Sequence, residues 1–391
     1  MLFERLKQQL HEREQAHCYR RRRIMSSPQS IRVCLDGREY LNFCSNDYLG
    51  LANHPELIKS FKQAANKYGV GSGSAHLING HSKEHHALEE ELAAFTGRQR
   101  ALLFSTGYMA NLGIVSTLLE RGDNLFADRL NHASLIDAGI LSRARLQRYA
   151  HNDMVALTEK LTQSGKGEKL IVSDGVFSMD GDLAAIEQMA SLAVERDAML
   201  MIDDAHGFGV LGKTGAGIVE QAGLDANSVP VLMGTLGKAL GSFGAFVAGD
   251  EILIEALINR ARSYVYTTAL PPAVAAATRS SLRLLKKENW RREKLHGLIA
   301  YWKQGASQLA LPLLPSDTAI QPLLLGASEK AVYLSQQLDE QGFLISAIRP
   351  PTVPKNQARL RITLSAEHEQ TDIDHLLEAL ESLLHKEAIV E

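Results

Sequence analysis

The chain is predicted to be an α/β protein, with a large domain built on a mostly parallel sheet followed by a smaller α+β C-terminal domain. Three observations predict it. Short apolar runs of four to six residues recur between about 101 and 249, too short for helices and apolar enough to be covered on both faces. Helical patterns alternate with these runs, as parallel strands need crossover helices. Beyond about residue 280 the alternation stops, and long helical stretches give way to two strand-like runs and a closing helix.

In chain order, MLFERLKQQLHEREQ interleaves charges with Leu2, Phe3, Leu6 and Leu10, so it reads as an amphipathic helix and lacks the apolar core of a signal peptide. IRVCLDGREYLNFCS reads as a β-hairpin, because Asp36 and Gly37 tolerate the positive φ of a two-residue turn. PELIKSFKQAANKY and KEHHALEEELAAF are helices. ALLFS, NLFAD, KLIVSD, AMLMIDD, VPVLMG and GAFVAG are the buried strands. The segments around RSSLRLL and REKLHGLIAYWKQGASQLA are helical, AIQPLLLG and RLRITLS are strands, and DIDHLLEALESLLHK is the last helix. The boundaries follow from these changes of pattern: an N-terminal helix and hairpin over 1–50, a large domain over 51–280 and a small domain over 281–391.

Bulk properties narrow the function classes. The 42 basic and 45 acidic residues leave no global field to draw nucleic acid or a membrane surface, so neither is an expected partner. No apolar run approaches the roughly 20 residues of a membrane span. Cys18, Cys34 and Cys44 make an odd count without CxxC spacing, which suggests neither a disulfide framework nor a zinc ribbon, and the cytoplasm is the expected compartment.

Two motif matches fail on context. GFGVLGKT (207–214) fits the phosphate loop of nucleotide triphosphatases, yet Asp203, Asp204 and His206 separate it from its strand, and two carboxylates would repel a triphosphate. HSKEH (81–85) fits an inverted zinc-protease pattern, but Ser82 reads as a helix N-cap, which leaves His81 outside the helix. No metal site is expected.

In doubly wound sheets ligands gather at the carboxyl ends of the strands, so the residues just after each apolar run carry the functional reading. Lys238 follows VPVLMG among Gly237, Gly241 and Gly244, which let backbone approach a flat group closely. Asp203 ends AMLMID, and a buried carboxylate there needs a cation or donors. Capping of a turn, or a metal shared with Asp204 and His206, is the competing reading of that pair. Thr106, Gly107 and Tyr108 stand between ALLFS and a helix, where backbone amides point at an anion. Thr235 shares the lysine's loop. His132 follows NLFAD and Ser178 follows KLIVSD. A lysine for an imine, a carboxylate for a ring nitrogen, a planar group and phosphate donors are together what pyridoxal phosphate requires.

SNDYLGL (45–51), TGYMAN, NHASL, GVFSMDGD, DDAHGFGVLG, TLGKALG and RPPTVPKNQARLRITLS resemble the α-oxoamine synthases, in order and over nearly the whole chain. The resemblance implies the aspartate-aminotransferase-like fold type I of pyridoxal-phosphate-dependent transferases and a homodimer with active sites at the subunit interface. It implies that Lys238 is the Schiff-base lysine, that Asp203 pairs with the pyridine nitrogen and that His132 stacks on the ring. His206 and Ser178 then lie near the phenolic oxygen, Gly107, Tyr108 and Thr235 hold the phosphate, and Asn46 and Arg361 hold the amino-acid carboxylate. Thr267 or Thr268 reaches the partner's phosphate.

Four activities share that framework: formation of 8-amino-7-oxononanoate, of 5-aminolevulinate and of sphingoid bases, and glycine C-acetyl transfer. AIRPPTVP, with Thr352 in it, and the run Arg20 to Arg23 look like the members that condense L-alanine with a pimeloyl thioester, on coenzyme A or acyl carrier protein, in biotin biosynthesis. Arg21 is the register choice for the far carboxylate of that acyl chain, with a solvated helix end as the competing reading of the run. Glycine C-acetyl transfer is the alternative reaction, and a catalytically silent partner subunit of the same fold is the alternative from another class. Lys238, Asp203 and His132 together argue against silence.

Overall fold

The computed structural model describes residues 2–16 and 18–388, with side chains to residue 384. They form two compact units: residues 49–178 with 183–292, and residues 2–48 with 179–182 and 293–388. No helix among the described residues is long and apolar enough to cross a membrane.

The smaller unit opens with helix Leu2–Gln15, which buries none of its side chains. Strands β1 (Arg32–Leu35) and β2 (Arg38–Asn42) pair antiparallel, with Leu35 opposite Arg38. The two turn residues between them take left-handed φ values, 53° at Asp36 and 81° at Gly37, as the hairpin reading requires.

The larger unit is built on seven strands, β3 (Arg100–Phe104), β4 (Asn124–Asp128), β5 (Arg145–Tyr149), β6 (Lys169–Asp174), β7 (Met199–Asp203), β8 (Val231–Thr235) and β9 (Ala245–Gly249). Their order across the sheet is β3-β9-β8-β7-β6-β4-β5, and β9 alone runs against its neighbours. The six apolar runs named above are β3, β4, β6, β7, β8 and β9. Four of these, β4 and β6 to β8, are central and bury nearly every residue, since helices cover both faces of a sheet joined by crossovers. β5 carries no such run: RLQRY is an edge strand, and its Arg145 and Arg148 are exposed.

Helices Pro55–Tyr68 and Lys83–Thr96 begin and end on local signals. The first has Pro55 in its first turn and stops at Gly69, whose φ is 80°. The second is capped by Ser82, whose side chain accepts from His85 N while His85 Nδ1 accepts from Ser82 N at 3.0 Å. His81 therefore lies outside the helix, and Glu84 of HSKEH is paired with Arg279 at 2.6 Å. The phosphate-loop look-alike is a series of turns around a carboxylate. Thr214 gives both its amide and its hydroxyl to Glu220, and the helix that follows, Ile218–Gln221, has four residues.

The rest of the smaller unit adds β10 (Ile320–Gly326), β11 (Phe343–Leu344), β12 (Ser346–Ile348) and β13 (Ala358–Thr363). β11 joins β2 in parallel, and β13 lies between β10 and β12 in an antiparallel sheet. Helix Gln370–Ala388 buries Ile373, Leu376, Leu380 and Leu383, a three-four spacing that makes one apolar stripe. Each such leucine contributes about 1.5–3 kcal/mol by leaving water.

Candidate active site

The carboxyl ends of β3, β4, β6, β7 and β8 all face one cavity of about 200 Å³ in the larger unit. Parallel strands aim their ends the same way, so residues far apart in sequence meet there. Gly107, Tyr108, His132, Ser178, Asp203, His206, Thr235 and Lys238 all line it.

β3 delivers the first group. Helix Gly107–Leu118 starts two residues past it, and the Thr106 hydroxyl caps that helix by accepting from Met109 N at 3.2 Å. Helix geometry gives the Gly107 and Tyr108 amides no partner within the helix, and the positive end of its dipole lies at the cavity. A Cβ on Gly107 would stand 2.9 Å from Thr235 Cγ2, so only glycine lets these two loops close on one another. Thr235 Oγ1 donates to Ala205 O at 3.1 Å, which fixes its oxygen at the same wall. The Tyr108 hydroxyl donates to Asp137, a bond that raises the phenol pKa.

β6 and β7 deliver two carboxylates side by side, because Asp174 and Asp203 are register partners. Asp203 is 5% exposed; its Oδ2 accepts from Asn111 Nδ2 at 2.7 Å and its Oδ1 from Ala205 N at 3.1 Å. Asp174 accepts from the His132 amide at 3.1 Å, and burial, then the neighbouring Asp203 charge, push its carboxyl well above the usual range. Asp204 turns to the opposite face, as successive strand residues must. Its Oδ2 accepts from Ile218 N at 2.8 Å, and it does not line the cavity.

His132 caps helix Ala133–Ser142 and also lines the cavity. Its Nδ1 meets Ser134 Oγ at 2.6 Å, and that hydroxyl accepts from Asn111 Nδ2 at 2.8 Å, so the imidazole and the Asp203 carboxylate share one network. Burial pulls the His132 pKa down, Asp203 opposes this and the Lys238 charge adds to it. Lys238 sits in the turn between β8 and β9, where its carbonyl accepts from Gly241 N at 2.8 Å. Gly241 has φ +60° there, and a Cβ on it would stand 2.3 Å from Ala52 N, so only glycine fits the turn.

Asn111, Ser134 and Asp174 belong to the site without having been read from sequence. All three stood inside the segments TGYMAN, NHASL and KLIVSD. The available signal was a polar residue on the inner face of an otherwise apolar helix, or at the end of a buried strand.

The remaining predicted residues are not among those that line this cavity. In the smaller unit Arg361 Nη2 donates to Asn46 Oδ1 at 3.2 Å and Nη1 to Thr363 Oγ1 at 3.1 Å. Arg21 pairs with Glu14 at 3.0 Å on an exposed surface, whereas Arg20 donates to Thr352 Oγ1 at 3.3 Å. Arg20 and Thr352 line a hollow of about 100 Å³ with Cys18, Ile348, Arg349 and Pro350. Thr268 forms an isolated antiparallel bridge with Ala75 in the larger unit.

The donor set of the large cavity fits pyridoxal phosphate. Two helix-start amides suit a phosphate, with the Thr235 hydroxyl available once it turns its proton from Ala205 O; a buried carboxylate held by two N–H donors suits a cationic ring nitrogen, and a lysine and a flat imidazole share the same walls.

Residues 38–380 match the family model for aminotransferase class I and II. The 8-amino-7-oxononanoate synthase of Cellvibrio japonicus is 59% identical over 380 residues, 97% of this chain and 96% of that protein. The 8-amino-7-oxononanoate synthase of Methylococcus capsulatus is 60% identical over 370 residues, 95% of this chain and 96% of that protein. Among solved structures, a variant of the S. paucimobilis serine palmitoyltransferase with bound PLP-myriocin aldimine superposes with a TM-score of 0.92 at 30% identity, covering 97% of this chain and 96% of that one. The 8-amino-7-oxononanoate synthase of Francisella tularensis gives a TM-score of 0.78 at 33% identity, over 89% of this chain and 99% of that one.

Proposed function

This chain belongs to the class I and II aminotransferase family, in its pyridoxal-phosphate α-oxoamine synthase branch, and we propose from that premise that it condenses L-alanine with a pimeloyl thioester to give 8-amino-7-oxononanoate, carbon dioxide and the free thiol. The near-whole-length identity with 8-amino-7-oxononanoate synthases carries this reading. The protein works in biotin biosynthesis, in the cytoplasm, as a homodimer whose partner's phosphate is reached by Thr267 or Thr268.

Bound pyridoxal phosphate supplies a cationic ring that accepts the electron pair left when alanine loses its α-proton or its carboxylate. Lys238 would hold the cofactor through Nζ, and the same nitrogen, as a free amine, would be the base that takes the alanine α-proton and later returns a proton. Asp203 keeps the ring nitrogen protonated, held at its angle by Asn111 and the Ala205 amide. His132 lies on the ring as a neutral imidazole, and burial favours that form. Gly107, Tyr108 and Thr235 hold the phosphate, and Ser178 and His206 face the phenolic oxygen.

Arg361, oriented by Asn46 and Thr363, binds the alanine carboxylate. The far carboxylate of the acyl chain goes to the arginine at Thr352. Its geometry favours Arg20 over the register choice Arg21, whose guanidinium is engaged with Glu14.

The test joins labelling with turnover. Borohydride treatment of the yellow holoenzyme should fix the cofactor to the peptide containing Lys238, and alanine with pimeloyl-CoA should yield 8-amino-7-oxononanoate. Lys238→Ala should lose about 10²–10⁴ in rate, the worth of a positioned base. Label at another lysine, or turnover of glycine with acetyl-CoA in preference, overturns the reading.

A further inference from the structure

We propose that His81, His86 and Glu89 form a divalent transition-metal site, suited to zinc, that clamps the turn at 76–81 on to helix Lys83–Thr96. One donor atom from each of the three lies within 4.8 Å of the others. They open on a surface cavity of about 390 Å³ lined also by His76, Arg100 and Tyr264, which leaves room for a water to complete a tetrahedron.

His86 and Glu89 stand three residues apart on the helix, a spacing that puts both on one face. His81 comes from the preceding turn, and its Nε2 already faces Glu89 Oε2 at 3.8 Å. Tetrahedral zinc with bonds of about 2.0–2.1 Å places its donors about 3.4 Å apart, so that pair needs little adjustment. The exposed His86 ring, now 3.5 Å from Glu90, supplies the remaining movement.

The supporting contacts suit ligation. His81 Nδ1 meets His76 Nδ1 at 3.0 Å; when His81 donates there, its Nε2 keeps the lone pair a metal takes. Glu89 Oε1 accepts from Leu103 N at 3.0 Å, which pins the carboxylate and leaves Oε2 directed at His81. The Arg100 charge nearby is occupied by Glu255 at 2.5 Å and Glu251 at 3.6 Å. Two imidazoles with one carboxylate favour zinc, nickel or copper over magnesium or calcium, which prefer all-oxygen shells.

A second trio, His76, His81 and His85, is close enough but chemically spent. His85 Nδ1 accepts from the Ser82 amide, and its Nε2 lies 2.7 Å from the Leu270 carbonyl, which can only accept, so neither nitrogen offers a lone pair. The site therefore shares only His81 with HSKEH, and not that motif's ligand set.

The test uses the chelator-treated holoenzyme in a non-coordinating buffer, titrated calorimetrically with zinc chloride and, in parallel, with cobalt(II) read by its visible bands. One equivalent per chain should bind, and cobalt(II) should give the intense bands of tetrahedral nitrogen and oxygen ligation. His86→Ala removes an exposed ligand, and Glu89→Gln keeps an acceptor for Leu103 N. Each should weaken zinc binding at least tenfold, since loss of even an outer partner costs about 10–100-fold. Absence of saturable binding in the parent, or affinity unchanged in both variants, overturns the proposal.

Discussion

Asn111 Nδ2 donates to Asp203 Oδ2 at 2.7 Å, with the two residues 1% and 5% exposed. The same amide reaches Ser134, so one side chain from the helix after β3 fixes both the carboxylate at the end of β7 and the hydroxyl that orients His132. Asp203→Asn should slow exchange of the alanine α-proton in deuterated water by about 10²-fold or more, as loss of a preorganised charge does. Asn111→Ala keeps the charge but frees it to turn, and should cost about 10–150-fold through loss of a charged hydrogen bond of about 1.5–3 kcal/mol. Exchange by Asp203→Asn at the parent's rate would remove Asp203 from the role proposed for it.

Gly107→Ala sets a methyl 2.9 Å from Thr235 Cγ2, against the wall where two phosphate ligands are proposed to converge. Its affinity for pyridoxal phosphate, titrated by absorbance, should fall roughly tenfold or more, at about 1.4 kcal/mol per decade. Gly297→Ala, at an exposed helical position without a left-handed φ, meets no atom within 4 Å and serves as the control for a glycine change as such.

Arg20→Ala and Arg21→Ala separate the two arginines. The partner of the pimeloyl carboxylate should show a KM for the thioester raised about 10–150-fold, with alanine binding unchanged, and the position beside Thr352 is expected to be the sensitive one. An octanoyl thioester, which lacks that carboxylate, should be nearly indifferent to both changes. Equal pimeloyl preference in both variants and the parent would make the run a solvated helix end.

His368 gives a pH dependence of stability. It is 1% exposed, stacked on Phe43 with ring centroids 4.5 Å apart, and burial presses its pKa from 6.5 to about 4. Between those values the unfolded chain binds a proton that the native chain refuses, so stability is complete above pH 6.5 and declines as the pH falls toward 4. The difference amounts to at most about 3 kcal/mol. His368→Asn, which retains an acceptor for the Ser365 amide, should flatten the fall in denaturant midpoint across that window. An unchanged slope would assign the loss to carboxylates.

The sequence by itself determined the strands that are buried on both faces and the helices with capped ends, because each writes its environment into adjacent residues. KLIVSD and AMLMID read as strands for that reason, and Ser82 announced the helix start that removed His81 from its motif. It also determined the family, through ordered segments whose spacing owes nothing to tertiary contact. Only the tertiary structure decided what depends on pairing across distance. The reversal of β9 and the edge position of β5 are sheet choices that no local pattern encodes, since RLQRY is half-solvated and carries no apolar run. Asp203 and Asp204 are chemically alike in sequence, and the pleat alone turns one to the cavity and the other to Ile218. In the same way Arg20, one residue from Arg21, meets Thr352 because the two segments pack together, a contact across 332 positions that composition and register could not foresee.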